Sequence, residues 1–169
     1  MHSIRVSRVL PVIIVAVVWW SPEAAMAESE QRLLPFAEAD VQRLDAQRAI
    51  VEQYLADEPS RQKYQTPAGR LGPLRALLQA KAFRPDQTYE LQAMGVVLGD
   101  VFVQDLGFHW IIVKDEHGRD PAIQYKDTSI ILYPLTMISK RIERGEEVDV
   151  FDLYNGLATE VQKLIDRGY

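Results

Sequence analysis

The stretch from Asp86 to Gly107, DQTYELQAMGVVLGDVFVQDLG, constrains the fold most, because it predicts one long helix that is apolar around most of its circumference. Apolar side chains recur at helical spacing along one face, and these are Leu91, Met94, Leu98, Val101 and Phe102. Three further valines widen this face, namely Val96, Val97 and Val103. A helix that is apolar nearly all round belongs at the centre of a folded domain. The sequence therefore predicts that other elements pack around this helix on several sides.

Two glycines in the same helix predict a close contact with a neighbouring element. Gly95 and Gly99 are four residues apart, so both lie on one side of the helix. In a membrane this spacing would suggest a helix dimer, but Glu90, Asp100 and Asp105 argue against a membrane span. We therefore expect a strand or another helix to pack closely against the two glycines.

The stretch FHWIIVKD, from Phe108 to Asp115, predicts an interior strand. Alternate residues of a strand point to opposite faces. One face would carry Phe108, Trp110 and Ile112, and the other His109, Ile111 and Val113. Both faces are largely apolar, which is typical of a strand covered at least partly on both sides. Gly118 would allow a tight turn, and AIQYK and SIILY would follow as second and third strands of an antiparallel meander.

Further helices are predicted on both sides of this meander. A helical pattern runs from about Phe36 to Ala56 and ends at DEPS, and the segment at residues 61–72 reads as a loop. Pro73 would begin a short helix, Pro134 would begin another that stops at Gly145, and Asp149 would cap the last one. The predicted fold class is α+β, with helices packed on a small three-stranded antiparallel meander sheet.

The N-terminus predicts a secretory signal peptide over residues 1–27. Two arginines and no acid occur in the first eight residues, and VLPVIIVAVVWW from Val9 to Trp20 is unbroken apolar sequence. Ala25 and Ala27 then stand at the small-residue positions of a cleavage site. The alternative is an uncleaved membrane anchor, although a spanning helix needs about 20 apolar residues. Residues 28–169 would form a single α+β domain, and contact with a membrane would come only through the signal peptide before cleavage.

Charge and cysteine content narrow the classes of function. The net charge is −5, and 17 basic and 23 acidic residues would remain after removal of the predicted signal peptide, a net charge of −6. An acidic surface repels phosphate backbones, so we expect no nucleic acid partner. The chain has no cysteine, which excludes disulfides, thiol nucleophiles and thiolate metal sites.

Candidate chemistries each have a simpler structural interpretation. His117 lies beside Asp115 and Glu116, but such a cluster is typical of a solvated turn, and no metal site is predicted. No serine lies in a G-x-S-x-G motif and no phosphate-binding loop is present, so no cofactor is predicted. His109 could act as an acid or base with Asp105 or Glu116, yet a single histidine on a mostly apolar strand more often serves the fold. No catalytic residue is assigned.

Two stretches carry a family resemblance. LQAMGVVLGDVFVQDLGFHWIIVKDEHGRDPAIQY, followed by YPLTMISKRIERGEEVDVFDLY, resembles the bacterial family known as domain of unknown function 3806. The glycine-spaced helix, the tryptophan strand, the D-E-x-G-R turn and the proline-initiated helix carry the resemblance, over about residues 87–164. It implies an exported or envelope setting and an α+β fold, and it supplies no catalytic residues. It also marks Trp110, Asp115, Glu116 and Arg119 as strand and turn residues that serve the fold or bind a partner.

Three hypotheses for function follow. The first is an exported periplasmic protein that is not an enzyme and binds another protein or an envelope component. An immunity-type protein is one form of it, because an acidic surface steers association with a basic partner. The second is a small hydrolase-like enzyme that uses His109 with a nearby carboxylate. The third is a structural envelope factor.

Overall fold

The computed structural model describes residues 31–168, and their fold is α+β, as predicted. The predicted signal peptide lies outside these described residues. Within them the strands are β1 (Arg32–Leu34), β2 (Phe108–Asp115), β3 (Gly118–Tyr125) and β4 (Ile131–Leu132). The helices are α1 (Glu38–Glu52), α2 (Glu58–Lys63), α3 (Pro67–Gln79), α4 (Thr88–Leu106), α5 (Pro134–Glu143) and α6 (Val150–Asp166).

The sheet has four antiparallel strands in the order β1-β2-β3-β4. The predicted meander of β2, β3 and β4 is confirmed, with Trp110 opposite Ile123 and Asp115 opposite Gly118. The predicted count of three strands was one short, because β1 adds to the free edge of β2 with Leu33 opposite Val113. A strand of three residues is too short to show an alternating pattern, so only its pairing reveals it.

Helix α4 lies at the centre of the fold, as its apolar circumference predicted. Eleven of its 19 residues are buried, and α1, α3 and α5 all pack against it together with β2. The face that includes Leu91, Met94 and Leu98 contributes to the main apolar core. The remaining helices and the sheet are therefore arranged around α4.

The close approach at the two glycines is confirmed. A Cβ atom added at Gly95 would lie 2.5 Å from the carbonyl oxygen of Pro134 and 2.7 Å from the Cα of Leu135, which are at the start of α5. A Cβ atom added at Gly99 would lie 2.6 Å from Cζ2 of Trp110. Neither position can hold a side chain without a shift of its neighbours.

The predicted loop at residues 61–72 was wrong, because most of this segment is helical. The Asp57 side chain caps α2 and the Thr66 side chain caps α3, each by accepting a main-chain N–H from the first turn. Pro59 and Pro67 lie in first turns, where a residue without an N–H loses nothing. Pro73 lies inside α3 and does not begin it.

The two closing helices have the predicted ends. Pro134 begins α5, and Gly145 follows its end with a φ of +75°. The Asp149 carboxylate caps α6 by accepting hydrogen bonds from the main-chain N–H groups of Phe151 at 2.8 Å and Asp152 at 3.2 Å. Across residues 31–168, no helix has both the length and the apolar character needed to cross a bilayer.

Candidate functional site

The side chain of Trp110 is partly buried and lies on the face of the sheet that packs against the main apolar core. Its Nε1 donates a hydrogen bond to Oδ1 of Asp100 at 3.0 Å, and its ring packs where Gly99 leaves room. The ring of Phe36 lies at a centroid distance of 6.0 Å on a tilted plane. These contacts join β2 to α4, so Trp110 serves the fold here.

The residues of the β2–β3 turn shape the turn itself. Oδ1 of Asp115 accepts hydrogen bonds from the main-chain N–H groups of His117 at 2.8 Å and Gly118 at 3.2 Å. The side chain of Glu116 is 66% exposed and that of His117 is 80% exposed. The turn is therefore organised by Asp115 and otherwise solvated.

Arg119 pairs with an acid of a neighbouring element. Its Nη2 lies 3.2 Å from Oδ2 of Asp40, which connects β3 to α1. The four candidate binding residues thus lie in three places: Trp110 against α4, Asp115 and Glu116 at the turn, and Arg119 beside α1. The structure does not bring them together into one site.

The proposed acid–base pair is also not assembled. His109 is exposed on the sheet face opposite that of Trp110, across from Gln124 of β3. Asp105 accepts a hydrogen bond from the hydroxyl of Tyr154, and burial together with this bond raises the pKa of Tyr154. Within residues 31–168, no hydrogen bond or ion pair joins His109 to a carboxylate.

The most connected polar group among the described residues is Asp100, whose sequence context indicated only that the helix does not span a membrane. Its Oδ1 accepts from Nη2 of Arg48 at 2.7 Å and from Nε1 of Trp110 at 3.0 Å. Its Oδ2 accepts from Nε of Arg48 at 2.7 Å and from Nη1 of Arg70 at 3.1 Å. The carboxylate, only 10% exposed, therefore uses all four of its acceptor positions and joins α1, α3, α4 and β2.

Electrostatics around Asp100 favour a permanent ion cluster. The hydrogen bond from Arg48 to Asp100 raises the pKa of Arg48, although burial opposes the rise. The guanidinium of Arg70 also lies over the ring of Tyr64, 5.2 Å from its centroid, and burial raises the pKa of that tyrosine. Because every acceptor position of Asp100 is occupied, the cluster can cross-link helices but offers no free carboxylate for catalysis.

An apolar concavity lies elsewhere, at the end of the fold where α4 begins. It has a volume of about 560 Å³ and is bounded by the end of α3, the 80–87 connection, the first half of α4 and the 144–149 connection. We call it the groove. Its apolar lining includes Leu77, Leu78, Phe83, Leu91, Met94 and Ile142. These side chains come from segments up to 65 positions apart in sequence, so no local motif reveals the groove.

Charged residues lie at the rim of the groove, and two of them are unpaired. Arg84 pairs with Asp86 at 3.0 Å, and Glu146 pairs with Arg144 at 2.6 Å. Lys81, on the 80–87 connection, has no partner among the described residues, and the same holds for Glu147 on the 144–149 connection. The rim therefore presents one free cation and one free anion, each on a different connection.

Lys81 adopts an unusual backbone conformation for a lysine. Its φ is +47°, at the position where a helix commonly ends in glycine. Its main-chain N–H bonds to the carbonyl of Leu78 at 3.1 Å, and that of Ala82 bonds to the carbonyl of Leu77 at 3.0 Å. A left-handed residue with a Cβ costs about 1 kcal/mol relative to glycine. The position thus carries a lysine at the groove's rim where a glycine would be more stable.

The described residues thus have an α+β fold with two features: an ion cluster in which every acceptor position of Asp100 is occupied, and the apolar groove. Residues 71–154 match the family model described as Domain of unknown function (DUF3806). The match confirms the resemblance that the sequence motifs predicted, with a region that begins and ends earlier than expected. It contains Asp100, Trp110 and the groove, whereas Arg48 and Arg70 lie before it.

A solved structure has a similar fold. It is a crystal structure at 1.50 Å resolution of a protein from Bacteroides thetaiotaomicron VPI-5482, with a TM-score of 0.61 and 14% sequence identity. The similarity covers 76% of this chain and 47% of that one, so the chain spans about half the length of its structural relative. At this identity the similarity establishes the fold alone. No curated protein matches the chain.

Proposed function

We propose that this protein is a non-enzymatic interaction domain that binds a segment of a partner protein in the groove. The observation that carries the proposal is an apolar concavity of about 560 Å³ with a free cation and a free anion at its rim. Concave, mostly apolar sites with a few polar groups are the usual form of binding sites. Buried apolar anchors dominate the affinity of such contacts, whereas rim charges contribute mainly to specificity.

The rim charges define the chemistry of the partner segment. A segment that fills the groove with large apolar side chains would place an acidic residue near Lys81 and a basic residue near Glu147. The paired rim residues, Arg84 with Asp86 and Glu146 with Arg144, already neutralise each other. The expected partner is therefore an amphipathic segment with apolar anchors between an acid and a base.

The setting that we propose is the periplasm or the secreted fraction, and it rests on the signal-like sequence of residues 1–27. An immunity-type protein that neutralises an exported toxin is one form of this function, and an envelope component is another possible partner. A purely structural envelope factor would bind no segment at all. The geometry does not favour the hydrolase hypothesis, because His109 is an exposed residue and does not line the groove.

A display screen of random peptides against the full chain tests the proposal. Enriched peptides are expected to carry large apolar residues flanked by an acid and a base. Fluorescence anisotropy then compares wild type with Leu78→Gln, which makes the half-buried wall of the groove polar. We expect about tenfold weaker binding, since one lost apolar anchor is worth at least about 1.4 kcal/mol. Leu157→Gln, at a half-buried position on α6 outside the groove, is the control and should leave binding unchanged.

Exchange of the two free rim charges adds a specificity test. The double variant Lys81→Glu with Glu147→Lys keeps the net charge and should prefer peptides whose acid and base are exchanged. The proposal is wrong if no peptide is enriched, or if enriched peptides bind Leu78→Gln as well as wild type. Binding of decanoate without binding of any peptide would assign the groove to small apolar ligands and overturn the proposal as well.

A further inference from the structure

A second surface, on the neighbouring face of α5, is cationic although the chain as a whole is acidic. It is a depression of about 340 Å³, and we call it the shelf. Its floor is formed by Ile131, Leu132, Tyr133, Thr136 and Met137, and its charged residues are Lys140, Arg141 and Arg144. All three charges are positive, whereas the net charge of the chain is −5. An anionic group is therefore attracted to the shelf and repelled by the average surface around it.

The three charged side chains of the shelf differ in whether another group of the protein already pairs with them. Nη1 of Arg141 donates to the carbonyl of Met137, which holds the guanidinium over the apolar floor. Nε of Arg144 lies 2.6 Å from Oε1 of Glu146 at the border with the groove. Lys140 is exposed and has no partner among the described residues. Glu146 also attracts the charge of Arg141. Lys140 is thus open to a ligand, and so are the N–H donors of Arg141 that do not bind Met137.

Helix α5 and the residues after it contribute to both surfaces. Ile142 and Gly145 line the groove, whereas Arg141 and Arg144 line the shelf. Consecutive helical residues point about 100° apart, so the groove and the shelf meet along this helix. A chain that leaves the groove over α5 reaches the shelf next.

We propose that the partner segment continues past its apolar anchors as an acidic stretch, and that this stretch binds on the shelf. This inference rests on the proposed function of the groove and adds the class of partner, namely a segment with apolar anchors followed by several Asp or Glu residues. The apolar floor and Tyr133, which is 37% exposed, contact the stems of these side chains while Lys140 and Arg141 pair with their carboxylates. Exposed charge pairs of this kind are sensitive to salt.

The test starts from a peptide that the display screen selects for binding to the groove. The peptide is extended at one end or the other with four glutamates, and the matched probe carries four glutamines instead. In low salt, one glutamate-tailed form is expected to bind about tenfold more tightly than its glutamine counterpart, and the difference should vanish in high salt. Lys140→Glu should remove most of that difference. Lys114→Glu, an equal change of charge at an exposed position on β2, should preserve it.

The outcomes separate the two proposals. If neither tailed peptide binds, the groove proposal fails and the shelf proposal fails with it. If both tails bind equally and Leu78→Gln weakens both, the groove stands and the shelf inference is overturned. An equal loss of the glutamate advantage in Lys114→Glu and Lys140→Glu would also overturn it, since only bulk charge would then matter. Binding of phosphatidylglycerol vesicles that Lys140→Glu abolishes, without any glutamate advantage, would assign the shelf to phosphate headgroups instead.

Discussion

Replacement of Asp100 by alanine is the sharpest test of how the helices are held together. The change removes a carboxylate that accepts four hydrogen bonds and leaves Arg48, Arg70 and the N–H of Trp110 without it. Breaking a buried ion pair by removing one partner costs about 3–5 kcal/mol. The two arginine side chains are 23% and 20% exposed, so water compensates in part and we expect a loss of about 3 kcal/mol.

The isosteric change Asp100→Asn separates charge from shape. Both carboxylate oxygens accept from a guanidinium, so either orientation of the amide places its NH₂ group against an arginine N–H. We therefore expect about 2 kcal/mol of destabilisation even though no cavity forms.

Urea unfolding of the full chain, followed by far-ultraviolet circular dichroism, measures both losses. In thermal unfolding the alanine variant should melt about 12 °C lower, given about 4 °C per kcal/mol for a domain of this size. Asp86→Ala is the control, because its ion pair with Arg84 is 71% exposed on both sides and its loss should not be measurable. A loss below about 1 kcal/mol for Asp100→Ala would refute the view that this carboxylate joins the four elements.

Three further predictions address packing, pH and the groove. Gly99→Ala should destabilise the fold by about 2 kcal/mol in urea unfolding, because its Cβ would lie 2.6 Å from the Trp110 ring. Gly156→Ala is the control: open space surrounds this position, so the change should stabilise α6 by about 0.5–1 kcal/mol. The hydroxyl of Tyr154 ionises near pH 10.0 in the unfolded chain, whereas in the folded chain its pKa is raised and it keeps its proton. Stability should therefore be full below that pH and fall above it. Tyr154→Phe should make this fall shallower in unfolding curves recorded across alkaline pH. Lys81→Gly should raise stability by about 1 kcal/mol and yet weaken peptide binding in anisotropy; unchanged binding would remove Lys81 from the proposed site.

Local patterns predicted the elements that carry strong periodicity. The apolar circumference of α4 placed that helix at the centre, and the spacing of Gly95 and Gly99 predicted the close approach that α5 and Trp110 make. The sequence also predicted Asp149 as the N-cap of α6 and Gly145 as the residue that ends α5, because capping depends on a few neighbouring residues. The prediction of a loop at residues 61–72 was wrong because a proline can follow the end of one helix or lie in the first turn of the next.

Candidate binding residues were harder to predict than elements. The family resemblance marked Trp110 and Arg119 as candidates, and in the structure both residues join neighbouring elements. Asp100 looked like one of several acids on a helix that could not span a membrane. Its importance follows from Arg48 and Arg70, which lie 52 and 30 positions earlier in the chain.

The amino-acid sequence by itself determined the helical centre, the hairpin and its turn, and the acidic, cysteine-free character of the chain, because each depends on composition or on residues within a few positions of one another. Tertiary structure decided the pairing of β1, the four hydrogen bonds that Asp100 accepts, and the groove and shelf that meet on α5. Those features arise only when chain segments tens of residues apart come into contact, and hydrogen bonds and concave surfaces exist only once that contact has formed.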